Sequence, residues 1–286
     1  MPDKSFKVSG GALHYSESGS GKPILFVQGV WFGRELWDDV VEDLKADHRC
    51  IQVGWPLGGH REPLAADADL APHAVADMVL DMIEGLQLDD VTLVGNDTGG
   101  AVCQLAVTSS RPAAAKIGAL VLTNSDSYEN FPPKAFRPIQ ILARWLPWLA
   151  NSLIANMAGG EAKATRVLKS VAYKPVPQDK AATLLANFSN YREARRDSLK
   201  FLIEADAMTT TVRAAESFTR FTKPVLILWG REDIYFPPSD GQRLAAAFPN
   251  ARLVELNECR TFVSLDQTEA MVREIRALLE SVKPDY

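Results

Sequence analysis

Apolar positions in the first half of the chain follow two alternating spacings. Unbroken apolar runs bounded by glycine, proline or acidic residues occupy 23–29, 50–54, 90–94 and 119–124. Between them, apolar residues recur every three or four positions. Leu36, Val40, Val41 and Leu44 share one stripe in 35–45, and Val75, Met78, Val79, Met82, Ile83 and Leu86 share another in 71–86. The unbroken runs predict buried strands and the 3.6-residue spacing predicts helices, with a further short strand over 12–16. Such alternation argues for a parallel sheet joined by right-handed helical crossovers. Strands without polar alternation imply a sheet covered on both faces.

The pattern changes after Asp126. From 127 to 220 helical runs follow one another without a convincing strand, over 139–157, 180–188 and 192–208. Pro132-Pro133 and the segment 174–177, which carries Pro175 and Pro177, punctuate them. Alternation resumes with strands over 224–229 and 252–256 and helices over 238–248 and 266–282. The expectation is an α/β chain with a mostly parallel sheet flanked by helices. Its core spans 1–126 and 221–286, and a helical insertion spans 127–220. No internal repeat interrupts this order.

Composition narrows the function classes. Of 286 residues, 47% are hydrophobic, so a large core is within reach and disorder is disfavoured. The formal charge is −5 from 36 acidic and 31 basic residues, with no basic block. Nucleic acid is therefore not an expected partner. Cys50, Cys103 and Cys259 are sparse and widely spaced, which suggests buried thiols in a reducing compartment. The first residues carry no signal-like apolar region. The apolar run near Ile139 is broken by Arg144, Pro147 and Asn151, so no membrane span is expected. These features predict a cytoplasmic protein with a small-molecule substrate and no membrane partner, and leave a homodimer open. No glycine-rich nucleotide fingerprint, Walker motif or metal-ligand spacing occurs, so neither cofactor nor metal is expected.

Candidate chemistry sits in Val94-Gly95-Asn96-Asp97-Thr98-Gly99-Gly100, between a strand run and a helix-prone run. Gly-x-Asp-x-Gly differs at its centre from the Gly-x-Ser-x-Gly elbow, which projects its central side chain above a sheet. A carboxylate held there is already charged and can attack carbon without a base. The alternative is an aspartate that caps the following helix.

In this order the chain resembles the α/β-hydrolase fold family. Phe26-Val27-Gln28-Gly29-Val30-Trp31 resembles the oxyanion loop, Gly95–Gly99 the elbow, and Trp229-Gly230-Arg231-Glu232-Asp233 the strand end that bears the family's acid. Thr261-Phe262-Val263-Ser264-Leu265-Asp266-Gln267 resembles the segment around the family's histidine. The resemblance covers nearly the whole chain and is weakest in the insertion, which is similar to the family's helical cap. An aspartate elbow is typical of the family's haloalkane dehalogenases and epoxide hydrolases. The resemblance implies that the backbone N–H groups of Val30 and Thr98 form an oxyanion hole and that Asp233 is the supporting acid. Asp126 is a second candidate acid. Trp31, Asn96, Asn124 and Asp126 are expected around the substrate, with a loop-capping role equally open for Asn124 and Asp126. Thr98 stands where haloalkane dehalogenases usually carry a halide-binding Trp.

One departure matters most. Arg260-Thr261-Phe262 stands where the family has Gly-His-Phe, and the chain's histidines are all early: His14, His48, His60 and His73. His60 follows the strand over 50–54 on a glycine-bearing loop. It is the candidate substitute base, against the alternative of a loop histidine bonded to backbone. Phe131, Phe136, Trp145, Trp148, Tyr173 and Tyr191 are candidates to line a cavity, and Tyr128, Tyr173 or Tyr191 to donate a proton. Arg195, Arg196 and Lys200 are expected on a solvated helix face. The leading expectation is hydrolysis of an epoxide, ester, lactone or carbon–halogen bond, with Asp97 as nucleophile or acid/base. The alternatives are a lyase, isomerase or cyclase on the same frame, or a catalytically silent binding relative.

Overall fold

The computed structural model describes residues 3–281. Eight strands form one sheet: β1 (Lys4–Val8), β2 (Gly11–Ser18), β3 (Pro23–Val27), β4 (Arg49–Val53), β5 (Val91–Asp97), β6 (Ile117–Ser125), β7 (Val225–Gly230) and β8 (Ala251–Leu256). Their order is β1-β2-β4-β3-β5-β6-β7-β8. The first two strands pair antiparallel, as do β2 and β4, and every pairing from β4 to β8 is parallel. The edge strand β1 was not expected from sequence. Its residues alternate around Phe6 with Lys4, Ser5 and Lys7 largely exposed, so it carries no apolar run.

Side chains alternate across the pleat. Leu25 and Val27 pack on one face with α2 (Pro72–Gly85) and α3 (Thr98–Val107). Ile24 and Phe26 pack on the other with α1 (Asp38–Leu44) and α13 (Thr268–Ser281). Both faces are therefore dry, as the unbroken apolar runs require. Every parallel strand ends at the same edge of the sheet. The strand order reverses beside β3, and the crevice at such a reversal is where open α/β sheets bind ligands.

Between β6 and β7 the chain builds a helical layer: α4 (Arg137–Trp145), α5 (Pro147–Ala158), α6 (Glu161–Val171), α7 (Gln178–Leu184), α8 (Ala186–Asn190), α9 (Arg192–Glu204) and α10 (Thr211–Ala215). The single helical run expected over 139–157 is broken at Leu146, because Pro147 starts a new helix. The remaining helices are α11 (Pro238–Ala247) and the short α12 (Val263–Asp266). A third apolar cluster joins this layer to the sheet, with Phe32 and Phe262 edge to face at 4.6 Å. The layer is stitched down by polar contacts as well. Arg195, expected on a solvated face, is buried and donates to the carbonyls of Phe188 and Ser189. Arg196 donates to the Leu64 carbonyl, and Lys200 to those of Ala66 and Ala68. No helix among the described residues is long and apolar enough to cross a membrane.

Candidate active site

Asp97 ends β5 with φ 53° and ψ −131°, a backbone conformation that L-residues rarely adopt. Close packing enforces it. A Cβ on Gly99 would lie 2.1 Å from the Val27 carbonyl oxygen, and one on Gly100 2.2 Å from Ser125 Cβ. The helix therefore sits directly on the strands and the chain turns sharply between them. The Asp97 carboxylate makes no capping bond to α3. The helix-cap alternative is thus not what its side chain does. Gly29 lies against that carboxylate, so close that a Cβ there would fall 2.0 Å from Asp97 Oδ2.

Asp97 opens into a cavity of about 880 Å³ between the sheet edge and α4, α5 and α6. The wall is mainly apolar, with Val30, Trp31, Phe136, Ile139, Leu142 and Val167 among its residues. Trp31 is held by ring contacts to Phe136 at 5.3 Å and Phe188 at 5.1 Å. Polar groups are few: Asp97 and Thr261 at the sheet edge, Tyr235 on the loop after β7, and Asn156, Lys163, Arg166 and Ser170 on the helices.

Three carboxyl groups cluster at and beneath the floor, and of these Asp97 alone lines the cavity. Asp233 Oδ1 accepts hydrogen bonds from the backbone N–H groups of Tyr235 (2.8 Å) and Phe236 (3.1 Å). Its Oδ2 is buried without a partner. Thr261, in the position where a histidine was expected, has its hydroxyl buried without a partner as well. That hydroxyl is near enough to lower the Asp233 pKa without meeting hydrogen-bond geometry. Burial dominates nonetheless and pushes Asp233 up to about 6. Asp126 lies behind α3, where Oδ2 accepts from the Thr98 hydroxyl at 3.0 Å and Oδ1 has no partner. Burial, and then the neighbouring Asp97, raise Asp126 well above the usual carboxylate range. Asp97 itself is raised to about 8, first by burial and then by Asp233, against a lowering contribution from the Thr98 N–H. No cation is among the groups that act on Asp97, so its surroundings favour the neutral form of the elbow carboxyl.

Several expected site residues are elsewhere. His60 does not line the cavity. Its Nε2 is 3.1 Å from Asp197 Oδ2 on α9, and its Nδ1 accepts from the Gly58 N–H at 3.4 Å. Both ring nitrogens are thus engaged: Nε2 ties the loop after β4 to the helical layer, and Nδ1 braces the loop itself. Of the four residues expected around the substrate, Trp31 alone lines the cavity. Asn96 donates to the Thr261 carbonyl (2.7 Å) and the Thr123 hydroxyl (2.9 Å), fixing the loop that carries Thr261. Asn124 exchanges bonds with the N–H (2.6 Å) and carbonyl (3.0 Å) of Gly230, fixing the start of the Asp233 loop. Asp126 is confined beneath Thr98. These three hold the floor rather than touch the space above it.

The expected tyrosines are also displaced. Tyr128 is buried, donates to the Arg243 carbonyl and lies under that residue's guanidinium. Tyr173 and Tyr191 are exposed. Trp145 and Trp148 point to solvent, and Phe131 packs on Phe201. Phe136 does line the cavity. Tyr235 lines the cavity although it was not expected; its signal in the sequence is its place two residues after Asp233, on the acid's own loop.

Comparison with known proteins agrees with this architecture. The model of the alpha/beta hydrolase family matches residues 24–274. Haloalkane dehalogenase 2 of Mycobacterium tuberculosis is 26% identical over 280 residues, covering 94% of this chain and 92% of its own length. The cis-3-alkyl-4-alkyloxetan-2-one decarboxylase of Shewanella oneidensis is 24% identical over 282 residues, 94% of this chain and 85% of its own. Among solved structures, epoxide hydrolase CorEH superposes with a TM-score of 0.80 at 17% identity, covering 99% of both chains.

Proposed function

The chain belongs to the alpha/beta hydrolase family, and from that premise we propose that it hydrolyses a medium-sized apolar molecule with Asp97 as the nucleophile. One observation carries the reading. The elbow carboxyl is held in a strained turn, makes no capping bond, and stands on the floor of an apolar cavity of about 880 Å³. Relatives named haloalkane dehalogenase and epoxide hydrolase make an electrophilic sp³ carbon the favoured target, and Thr98 in place of a halide-binding Trp favours the epoxide.

In this scheme an Asp97 oxygen attacks the epoxide carbon as the C–O bond breaks, and the bonding pair goes to the leaving oxygen. Tyr235, on the cavity wall, donates the proton that oxygen needs. The product is an ester on Asp97. Water must then attack the ester carbonyl, with the N–H groups of Val30 and Thr98 taking the developing oxyanion. Asp233 is the group to receive the water's proton. Its Oδ2 and the Thr261 hydroxyl, both without partners, are suited to hold that water where an imidazole is missing. Collapse of the tetrahedral intermediate expels the diol's oxygen, which takes the hydroxyl proton and restores the Asp97 carboxylate, and the proton held by Asp233 returns to the Tyr235 phenolate to close the cycle.

A second reading has its own support. A carboxyl raised to about 8 is mostly protonated at neutral pH and can serve as an acid in a lyase or isomerase step without ester formation. A decarboxylase among the relatives is consistent with it.

Intact-mass spectrometry after exposure to epoxides, haloalkanes, esters and lactones in H₂¹⁸O decides between them. A mass increase mapped to Asp97, or ¹⁸O passed through that side chain to product, is the expected result. Product that forms with neither adduct nor solvent oxygen would transfer the assignment to acid catalysis.

A further inference from the structure

The helices over the cavity carry an unpartnered apolar surface. Seven of the eleven large apolar side chains exposed among the described residues lie within 141–157. Trp145 is 77% exposed, Trp148 63% and Ile141 62%. Such a concentration is unusual for a water-facing surface and marks an interaction site. The surface is continuous with the cavity mouth. Leu153 and Met157 are exposed and also line the cavity, as are Lys163 and Arg166 on the neighbouring α6.

Charge along α4 and α5 is one-sided. The chain has 36 acidic residues, yet none between Glu129 and Glu161. Lys134, Arg137 and Arg144 fall in that interval and are exposed. On α4, residues 137, 141, 144 and 145 project within one helical face, so Arg137 and Arg144 flank Ile141 and Trp145. A second copy docked on this face would bring the same cations with it and offer no carboxylate from α4 or α5 to pair with them. An anionic partner is complementary. Paired tryptophans on an apolar face bordered by cations match the headgroup–acyl boundary of a lipid layer.

We propose that α4 and α5 dock this protein on anionic phospholipid surfaces, with the cavity mouth turned toward the lipid. Lack of a membrane-spanning helix, which underlay the expectation of no membrane partner, does not bear on surface docking. An apolar substrate dissolved in the lipid would then reach Asp97 without crossing bulk water. The assignment rests on the surface and holds whatever chemistry Asp97 performs.

Flotation with vesicles of phosphatidylglycerol and phosphatidylcholine, compared with phosphatidylcholine alone, tests it. The protein is expected to float with the anionic vesicles, to be released by high salt, and to show a blue-shifted tryptophan emission on binding. The double variant Trp145→Ser, Trp148→Ser alters two exposed side chains, so its melting curve should match the parent while its bound fraction falls roughly tenfold. Failure to float with anionic vesicles would overturn the proposal, and equal flotation with neutral ones would overturn the anionic assignment. A concentration-dependent dimer that buries Trp145 and Trp148, read by light scattering and iodide quenching, would make a second copy the occupant and overturn it as well.

Discussion

Asp233 and Thr261 lie close enough for the Thr261 hydroxyl to act on the Asp233 carboxyl, and yet Asp233 Oδ2 and Thr261 Oγ1 are both buried without a hydrogen-bond partner. A carboxylate and a hydroxyl left unsatisfied in an interior cost free energy unless water or a reacting group completes them. Thr261 stands at the position where the family's histidine was expected. Thr261→His should pair with Asp233 and supply a stronger base for the ester step. Once Asp97 has been esterified, the adduct should decay roughly 10²–10⁴-fold faster in T261H than in the parent. Time-resolved intact mass measures this directly. An unchanged decay in a folded T261H protein would remove Asp233 and Thr261 from the water step.

The pH dependence has a definite sign. Asp97 is raised from 3.8 to about 8, so ester formation should climb about tenfold per unit below pH 7 and level off above about 8. Asp126 interacts with Asp97, so the observed midpoint belongs to the pair. A rate independent of pH between 6 and 9 would exclude Asp97 as the ionising nucleophile.

The same shift governs stability. The folded state holds the Asp97 proton more tightly than the unfolded chain does, so stability falls as pH rises from about 4 toward about 8. Asp97→Asn removes the ionisable group while keeping its shape. It should abolish the adduct and raise stability at pH 8 relative to the parent, with little effect at pH 4. Urea denaturation of both proteins at the two pH values gives the comparison.

Gly29→Ala tests the packing behind the nucleophile. The added Cβ would fall 2.0 Å from Asp97 Oδ2 and 2.6 Å from its Cγ, so the carboxylate must rotate or the loop must retreat. Adduct formation should drop at least about 10²-fold, because small displacements of a reacting group are costly. The variant should still fold, since Gly29 is not in a glycine-only conformation. Normal adduct formation in G29A would mean that the reacting carboxylate sits elsewhere.

What could be read in the sequence was local. The strands of the parallel sheet came through because burial on both faces leaves unbroken apolar runs, and the elbow because its glycines are spaced for one tight turn. The edge strand β1 lacked that signal, having one solvated face. The site's supports were illegible for a different reason. Asn96 reaches Thr261 across 165 positions, and His60 reaches Asp197 across 137. No spacing rule relates such residues. Residue type and loop position made His60 a candidate base, and neither reveals which way a ring turns. Tyr235 was open to discovery, because a loop anchored by Asp233 must bring its next residues to the same sheet edge.

His60 offers the sharpest contrast between proximity in sequence logic and role in the fold. Its partner Asp197 is fully buried and also accepts from the Leu64 N–H at 3.0 Å, with Arg196 on its other oxygen. Removing the imidazole leaves that carboxylate short of one partner in a dry site. His60→Ala should therefore cost about 3 kcal/mol of stability. It should leave the rate and pH profile of adduct formation at Asp97 unchanged in the protein that remains folded. His60→Gln, which can still donate to Asp197, should recover part of the loss. If H60A instead formed the adduct normally but could not release it, His60 would be the base after all, and the loop after β4 would have to swing toward the cavity during turnover.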